Sequence, residues 1–551
     1  MKNKMLYAAL LMGSLWVAPV FAKAISEQPL FEPVPEASAE TGAEASGPSG
    51  PLTLYVVRHG QTIFNLMDRV QGVSDGILTA KGIEGAVNMG KGLKDVPFSA
   101  VYSSDLSRAR ETARLALKQN QATAQWTIQE MPELREVSFG IFEGDPNWVM
   151  YAAFAEDLGL TVPEDAKSIA AAAAPILAHY DGDMKRFFEG LADFNKRVDT
   201  EYGIAESAEE VYDRLDRGLA AIIEENPAGG NVMLVAHGQS ISFLFARLGV
   251  EMPGGGGLAN SSVTKLVYDY AEKTFTVDGP VGDLSYLEAG AAESREAEEP
   301  PKDETSAWTP SEDGSVTFYV TRHGKTMFNT VHRVQGWSDT PLTPAGLEVA
   351  EQLGRGLKAQ GIRFNAAWSS DLGRARETAR LVLETSGNTG LALQETSRFR
   401  ESCFGIYEGD TDENMWGAAG IQLGLEAETV EEAYKALLAA MTEGQYALPD
   451  MLGAVKALDT TGLAEDYDTV KARMQQQFTQ LAEEYAAKGG GNILMVAHGI
   501  SILAMISDWT TEQPEGGQLA NASVTKVVYQ DGTFTVTELN NMAYVEAGAA
   551  L

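Results

Sequence analysis

Two histidines in this chain, each set between an arginine and a glycine at the end of an apolar run, have the surroundings that chemistry would need. They are His59 in LYVVRHGQT and His323 in FYVTRHGKT. A neutral imidazole is a good nucleophile near neutral pH and forms a labile phosphoramide when it attacks phosphorus. Arg58 and Arg322, the preceding residues, carry permanent charge on a forked guanidinium that matches phosphate oxygens. Further along each half come a second arginine (Arg108 in SSDLSRARETA, Arg374 in SSDLGRARETA), a glutamate (Glu136 in LREVSFG, Glu401 in FRESCFG) and a second histidine before glycine (His237 in LVAHG, His498 in MVAHG). Together these residues suit phosphoryl transfer. His59 attacks, Arg58 and Arg108 bind the equatorial oxygens, and His237 donates one more hydrogen bond to the transferring group. Glu136 supplies a proton to the leaving oxygen and later activates water. His323, Arg322, Arg374, His498 and Glu401 repeat the set.

Such groups need strands that end at a common mouth. LYVV, AVYS, VMLVA and KLVY read as strands, and AKGIEGAVNMGKGL and SRARETARLAL as helices. The alternation predicts an α/β fold, a mostly parallel sheet with helices on both faces, whose ligands bind beyond the carboxyl ends of the strands. Arg58, His59 and His237 fall at such ends. About a hundred residues separate Glu136 from His237, and Glu401 from His498. These inserts read as helical and differ between the halves. They form either caps over the sites or extra packing at the domain edge.

The order of landmarks is the same in both halves, with a repeat distance of about 264 residues from Arg58 to Arg322. This is a tandem duplication of a whole domain. The predicted organisation is a signal peptide over 1–24, a disordered tether over 25–50, a first domain over 51–290, a linker over 291–314 and a second domain over 315–551. Both domains are expected to be three-layer α/β/α units. The tether and linker are rich in Pro, Ala, Glu, Ser and Gly.

At the N-terminus, Lys2 and Lys4 precede a largely apolar run from Met5 to Val20, and Ala22 and Ala24 offer cleavage sites. This predicts a secretory signal of bacterial type, with export to the periplasm or beyond and no stable membrane association after cleavage. The alternative is an uncleaved anchor, for which the run is short. The 551 residues carry 77 acidic and 42 basic side chains, a net charge of −35. That balance argues against nucleic acid and anionic membranes as partners. Cys403 is the single cysteine, so an intrachain disulfide and cysteine-based metal sites are excluded. Its counterpart is Ser138, and it reads as a packing residue. His179 and His332 have no counterparts and read as surface or packing residues. Arg110, Arg114, Arg376 and Arg380 read as a solvated helix face.

The RHGxTxxN starts, RVQG with SD and LT, SSDLxRARETA, ExxFGxxEG and VAHG together resemble the histidine phosphatase superfamily, in its phosphoglycerate mutase-like branch. The resemblance covers about Leu52 to Gly290 and Val316 to Leu551. It implies a phosphohistidine at His59 and His323, phosphate-pocket roles for Arg58, Arg108, His237, Arg322, Arg374 and His498, and proton donation by Glu136 and Glu401. It also places Asn65 and Asn329 at the phosphate pocket. It implies no metal and no cofactor. The expected activity is metal-independent hydrolysis of small phosphorylated substrates at two sites. The alternatives are a phosphoglycerate mutase-type transferase and a secreted module that binds phosphorylated ligands with one or no active half. Unlike inserts point to unlike substrates in the two halves.

Overall fold

The computed structural model describes residues 50–123, 125–163, 166–200, 202–252, 257–292 and 310–551. The predicted signal peptide, nearly all of the tether and most of the linker lie outside the described residues. Among the described residues, no helix is long and apolar enough to cross a membrane.

The first half runs β1 (Leu52–Arg58), α1 (Ile63–Leu66), β2 (Asp75–Gly76), α2 (Ala80–Gly92), β3 (Phe98–Ser103), α3 (Ser107–Leu117) and β4 (Ile128–Glu130). It continues through α4 (Asn147–Asp157), α5 (Ile169–His179), α6 (Met184–Val198), α7 (Ala208–Glu225), β5 (Gly230–Ala236), α8 (Gly238–Leu248), β6 (Val263–Asp269), β7 (Thr274–Val277) and α9 (Ser285–Ala291). The second half repeats the order as β8 (Val316–Arg322), α10 (Met327–Thr330), β9 (Ser338–Asp339), α11 (Pro344–Ala359), β10 (Ala366–Ser370), α12 (Gly373–Ser386) and β11 (Leu393–Thr396). Then follow α13 (Asp412–Gln422), α14 (Val430–Thr442), α15 (Leu448–Leu458), α16 (Tyr467–Ala487), β12 (Gly491–Ala497), α17 (Gly499–Ile506), β13 (Val524–Gln530), β14 (Thr533–Asn541) and α18 (Ala543–Ala549).

Each half has a six-stranded sheet, ordered β4-β3-β5-β1-β6-β7 and β11-β10-β12-β8-β13-β14. The first four strands of each are parallel, the fifth (β6, β13) runs antiparallel to them, and the sixth (β7, β14) pairs antiparallel with the fifth. The central strands are apolar on both faces because helices cover both. In β1, Leu52, Leu54 and Val56 face one core with Leu219 and Ile222 of α7 and Ile241 and Phe245 of α8. Val57 faces the other with Met89 of α2 and Ala109 and Ala113 of α3. β8 does the same, Phe318 and Val320 on one side and Tyr319 on the other.

The two halves form one compact unit, packed about a pseudo-twofold axis. β2 pairs antiparallel with β9, setting Asp75 opposite Asp339 and Gly76 opposite Ser338. Arg69 Nη2 lies 3.2 Å from Asp410 Oδ2, and Arg333 Nη2 lies 2.7 Å from Asp145 Oδ1. Phe64 and Phe328 share a buried cluster. Phe64 sits on Gly409 and Phe328 on Gly144. A side-chain carbon at Gly409 would come within 2.7 Å of Phe64 Cζ, and both glycines have positive φ (+81° and +87°), so this contact requires glycine.

The interface corrects one expectation. Arg110 and Arg376 are not on a solvated face. Arg110 Nη2 pairs with Glu395 Oε2 of the other half at 2.8 Å, and Arg376 pairs with Glu130 across the axis at 3.0 Å and with Glu395 at 3.1 Å. The first residues of α3 and α12, Ser107 and Gly373, are neighbours across the axis, so Arg110 and Arg376 reach carboxylates of the opposite half instead of water. Arg114 and Arg380 do lie on the partly exposed face, paired with Glu111 and Glu377 three residues away. His179 and His332 are exposed and Cys403 is buried. Burial pushes the Cys403 thiol well above its ordinary pKa, which suits packing and not nucleophilic attack. Pro310–Gly314, at the end of the predicted linker, is described. There Ser311 donates through its N–H to Gly489 O at 3.1 Å, pinning the segment to the second half.

Candidate active site

The chain leaves β1 at Arg58, and the next residues are held by backbone bonds from two neighbours. His59 N donates to Ala236 O at 3.1 Å at the end of β5. His59 O accepts from Asn260 Nδ2 at 2.9 Å. Gly60 N donates to Thr112 Oγ1 at 2.9 Å, and that hydroxyl donates to Arg108 O at 2.7 Å. A single set of bonds therefore joins the nucleophile's loop to the helix that carries Arg108.

His59 Nδ1 lies 2.7 Å from Gly60 O. A carbonyl only accepts, so Nδ1 carries the proton and Nε2 keeps the lone pair. Burial, followed by the charges of Arg108 and Arg58, holds the His59 pKa well below the ordinary 6.5, so the ring is a neutral nucleophile. The His237 ring centroid lies 5.2 Å from that of His59. His237 is the residue that opens α8, and its pKa is lowered by burial, then by Arg108 and His59.

Arg108 is the largest fully buried side chain of the first half. Its Nη1 donates to Asp75 Oδ1 at 2.8 Å and Ser74 O at 3.0 Å, and its Nη2 to Gly72 O at 2.8 Å. Arg58 Nη1 donates to Leu258 O, and Gly238 leaves room for its guanidinium beside the start of α8. What remains is a set of buried polar atoms without protein partners: Arg58 Nε, Arg108 Nε and both ring nitrogens of His237. Buried donors left unpaired are costly. An anion at this place would accept from the two arginine Nε–H groups and from the His237 nitrogen that carries the proton.

Glu136 is buried at the same helix start. Its carboxylate accepts from Val137 N at 3.0 Å, Gln239 N at 3.0 Å and Ser240 N at 2.7 Å. The helix that presents His237 therefore also orients Glu136, and a carboxylate suits a helix N-terminus. Burial, and after it the charges of Asp68 and Glu136, raise the hydroxyl pKa of Tyr151 in α4. Of the insert helices α4–α6, α4 therefore lies near the site, and α6 packs on α8, the helix opened by His237.

The second half repeats this geometry. His323 Nδ1 lies 2.8 Å from Gly324 O, and the His323 and His498 rings are 5.2 Å apart. Arg374 Nη1 is 2.8 Å from Asp339 Oδ1. Glu401 accepts from Ser402 N at 3.0 Å, Ile500 N at 3.0 Å and Ser501 N at 2.8 Å. Arg322 Nε, Arg374 Nε and both His498 nitrogens are again buried and unpartnered. Burial, then Arg374 and Arg322, lowers the His323 pKa well below 6.5.

Asn65 and Asn329 sit beside this centre, on the loops after His59 and His323, and their Oδ1 atoms are held locally. Asn65 Oδ1 accepts from Thr62 N at 3.2 Å and Asn260 Nδ2 at 3.3 Å, and Asn329 Oδ1 accepts from Thr326 N at 3.3 Å. Sequence reasoning missed several supporting residues. Asp75 and Asp339 hold the buried arginines. Glu143 accepts from Gly72, Val73 and Ser74 N–H groups at 3.0–3.1 Å, and so shapes the loop below Arg108. Asn260 and Asn521 hold the histidine carbonyls. All stand in segments the two halves share, and that sharing of polar residues was the available signal.

An α/β unit with two neutral histidines, two arginines and a carboxylate at the strand ends defines a phosphoryl-transferring class of protein. The sequence model of the histidine phosphatase superfamily (branch 1) matches residues 54–172, 173–278, 318–420 and 424–542. The chain belongs to that superfamily, and its homologues are phosphoglycerate mutase-like. It is 28% identical over 238 residues to a broad-specificity phosphatase of Saccharomyces cerevisiae, covering 42% of this chain and 89% of the relative. It is also 28% identical over 248 residues to GpmB of Citrobacter koseri, named a probable phosphoglycerate mutase, covering 44% of this chain and 97% of that one. Among solved structures, a phosphoglycerate mutase from Bacillus anthracis is 42% identical, covers 43% of this chain and 98% of its own, and has a TM-score of 0.39.

Proposed function

We propose that this protein is an exported phosphomonoesterase that hydrolyses small phosphorylated substrates through a phosphohistidine, with a working site in each half. The observation that carries this reading is the matching set of buried, unpartnered donors beside a neutral histidine in both halves. His59 Nε2 attacks phosphorus, and the bond from phosphorus to the leaving oxygen breaks. Arg58, Arg108 and His237 bind the equatorial oxygens. Glu136 gives its proton to the leaving alcohol. It then takes a proton from water, which attacks the phosphohistidine, releasing inorganic phosphate and restoring neutral His59. His323, Arg322, Arg374, His498 and Glu401 act alike. The sequence of residues 1–24 supports export to a bacterial periplasm or the medium, residues 51–290 and 315–551 are the two catalytic domains, and no metal takes part.

Phosphate release from a panel of phosphomonoesters tests the reading on the mature chain. His59→Ala should remove one part of the activity, His323→Ala the other, and the double variant all of it. Full activity in the double variant would refute the assignment. Chelation with EDTA should leave the rate unchanged.

Kinship to GpmB favours one alternative, a mutase that returns the phosphoryl group to bound product. Turnover that requires a bisphosphorylated primer would establish it.

A further inference from the structure

The two sites share their phosphate-binding groups and differ in what surrounds them. Gln71 immediately precedes the loop bound by Glu143, and its Oε1 accepts from Thr62 Oγ1 at 2.7 Å. Its Nε2 is buried with no partner. Gln335 is the same residue in the second half, and its Nε2 donates to Thr340 Oγ1 at 2.9 Å. The place of Thr340 is taken in the first half by Gly76, over which Gln71 Nε2 lies. A glycine there leaves an amide donor open, and a threonine closes it.

The same contrast recurs in the insert and at the start of α8. Asp199 and Asp459 are equivalent, each accepting from backbone N–H groups of the loop after α6 or α15 (Ile204 and Ala205; Leu463 and Ala464). Four residues before them stand Asn195 and Val455. Asn195 is fully buried, and its only bond is a weak one from Nδ2 to Met150 Sδ at 3.6 Å, leaving Oδ1 unpaired. After the second His-Gly stand Gln239 and Ile500. Gln239 Oε1 is buried and unpaired, whereas Ile500 packs in an apolar cluster with Val455, Phe404 and Met415. Trp337 adds an aromatic wall by Glu401, its Nε1 donating to Glu401 O at 3.1 Å. Val73 stands at its place in the first half.

We infer that the first site takes phosphate esters of polar, hydroxyl-bearing alcohols, and the second takes esters of apolar or aromatic alcohols. The inference rests on the hydrolase reading above. Gln71 is bonded to Thr62 and Asn65 on the loop after His59, Gln239 N donates to Glu136, and Asn195 touches Met150 of the insert. Their three open amide atoms need hydrogen-bonding partners, and a site with unpaired buried polar groups discriminates strongly against a ligand that lacks them. The second site has paired or replaced every one of the three and offers carbon surface instead.

Two full-length variants isolate the sites: His323→Ala leaves the first working and His59→Ala the second. Each is assayed for kcat/KM on glycerol 3-phosphate and on phenyl phosphate. The ratio of glycerol ester to phenyl ester should be at least about tenfold higher for His323→Ala than for His59→Ala. Within the His59→Ala chain, Thr340→Val should raise that ratio by freeing Gln335. Within the His323→Ala chain, Asn195→Val with Gln239→Ile should lower it, with thermal melting confirming the fold. Equal or reversed ratios in two active variants would overturn the inference and leave the hydrolase reading intact. No phosphate release from either variant would overturn both.

Discussion

Asp75 and Asp339 lie opposite each other in the short β-ladder that joins the two halves, and each holds the buried phosphate-site arginine of its own half at 2.8 Å. The two catalytic centres are thus connected by an Arg108–Asp75 pair, two strands and an Asp339–Arg374 pair. Burial, with Asp75 adding to it and Arg374 opposing, pushes the Asp339 carboxyl above its ordinary pKa. Asp75→Asn should release Arg108 from its register and lower kcat/KM of the first site on the order of 10²-fold, since small displacements of a positioning group cost that much. Asp75→Ala, which strands a buried guanidinium, should also cost roughly 3–5 kcal/mol of stability. Steady-state kinetics in the His323→Ala chain and denaturant melts measure both. Unchanged kcat/KM in Asp75→Asn would separate the aspartate from the site.

The buried histidines set a pH signature. His59, His237, His323 and His498 all have pKa values held well below 6.5, with burial the largest cause. The nucleophiles therefore stay neutral below pH 6.5, and the limb of kcat/KM that reports their protonation should lie well under that value. Stability follows the opposite logic. Unfolded histidines bind protons near pH 6.5 while the folded ones do not, so stability is greatest above 6.5 and falls as pH drops toward the folded pKa values. Chemical denaturation at pH 7.5 and 5.5 should show the loss. An activity limb centred at 6.5 would mean that neither burial nor the charges of Arg108 and Arg58 hold the nucleophile's pKa down.

Glu136 is held by three N–H groups, and its assigned task is to protonate the leaving oxygen. Glu136→Gln in the His323→Ala chain should lower kcat on an alkyl phosphate by about 10²- to 10⁴-fold. The loss should be far smaller for phosphorylation by p-nitrophenyl phosphate, whose leaving group needs no proton. A rapid burst of nitrophenol followed by slow turnover would show both the bypassed acid and the missing base. Equal losses on both substrates would point to a structural role at the start of α8.

Much of this was legible in the sequence, for identifiable reasons. The strands LYVV and VMLVA are apolar on every position because helices cover both faces, and the mostly parallel sheet follows from strands alternating with helices. The reactive residues were visible because two copies repeat them. What the sequence did not show is how the copies meet. Arg110 and Arg376 look like members of a solvated helix, and only packing about the axis brings Glu395 and Glu130 to them. The support given by Asp75 to Arg108 was hidden for the same reason, since the two are brought together by a loop and a strand pairing between halves.

Because the interface repeats itself about the axis, each half carries both sides of it. Arg69 meets Asp410 in the intact chain, and Arg333 meets Asp145. A second copy of the first half would offer Asp145 to Arg69 and Gly144 to Phe64, in the manner of an isologous pair. The first half expressed alone over residues 50–292 should therefore sediment as a dimer at micromolar concentration. Arg69→Glu would set like charges against Asp145 and should shift it to monomer. Its activity should fall with dissociation, because Asp75 loses the strand that fixes it. A monomeric first half with full activity would show that the halves are joined only by their linker, and that the β2–β9 pairing contributes nothing to the position of Arg108.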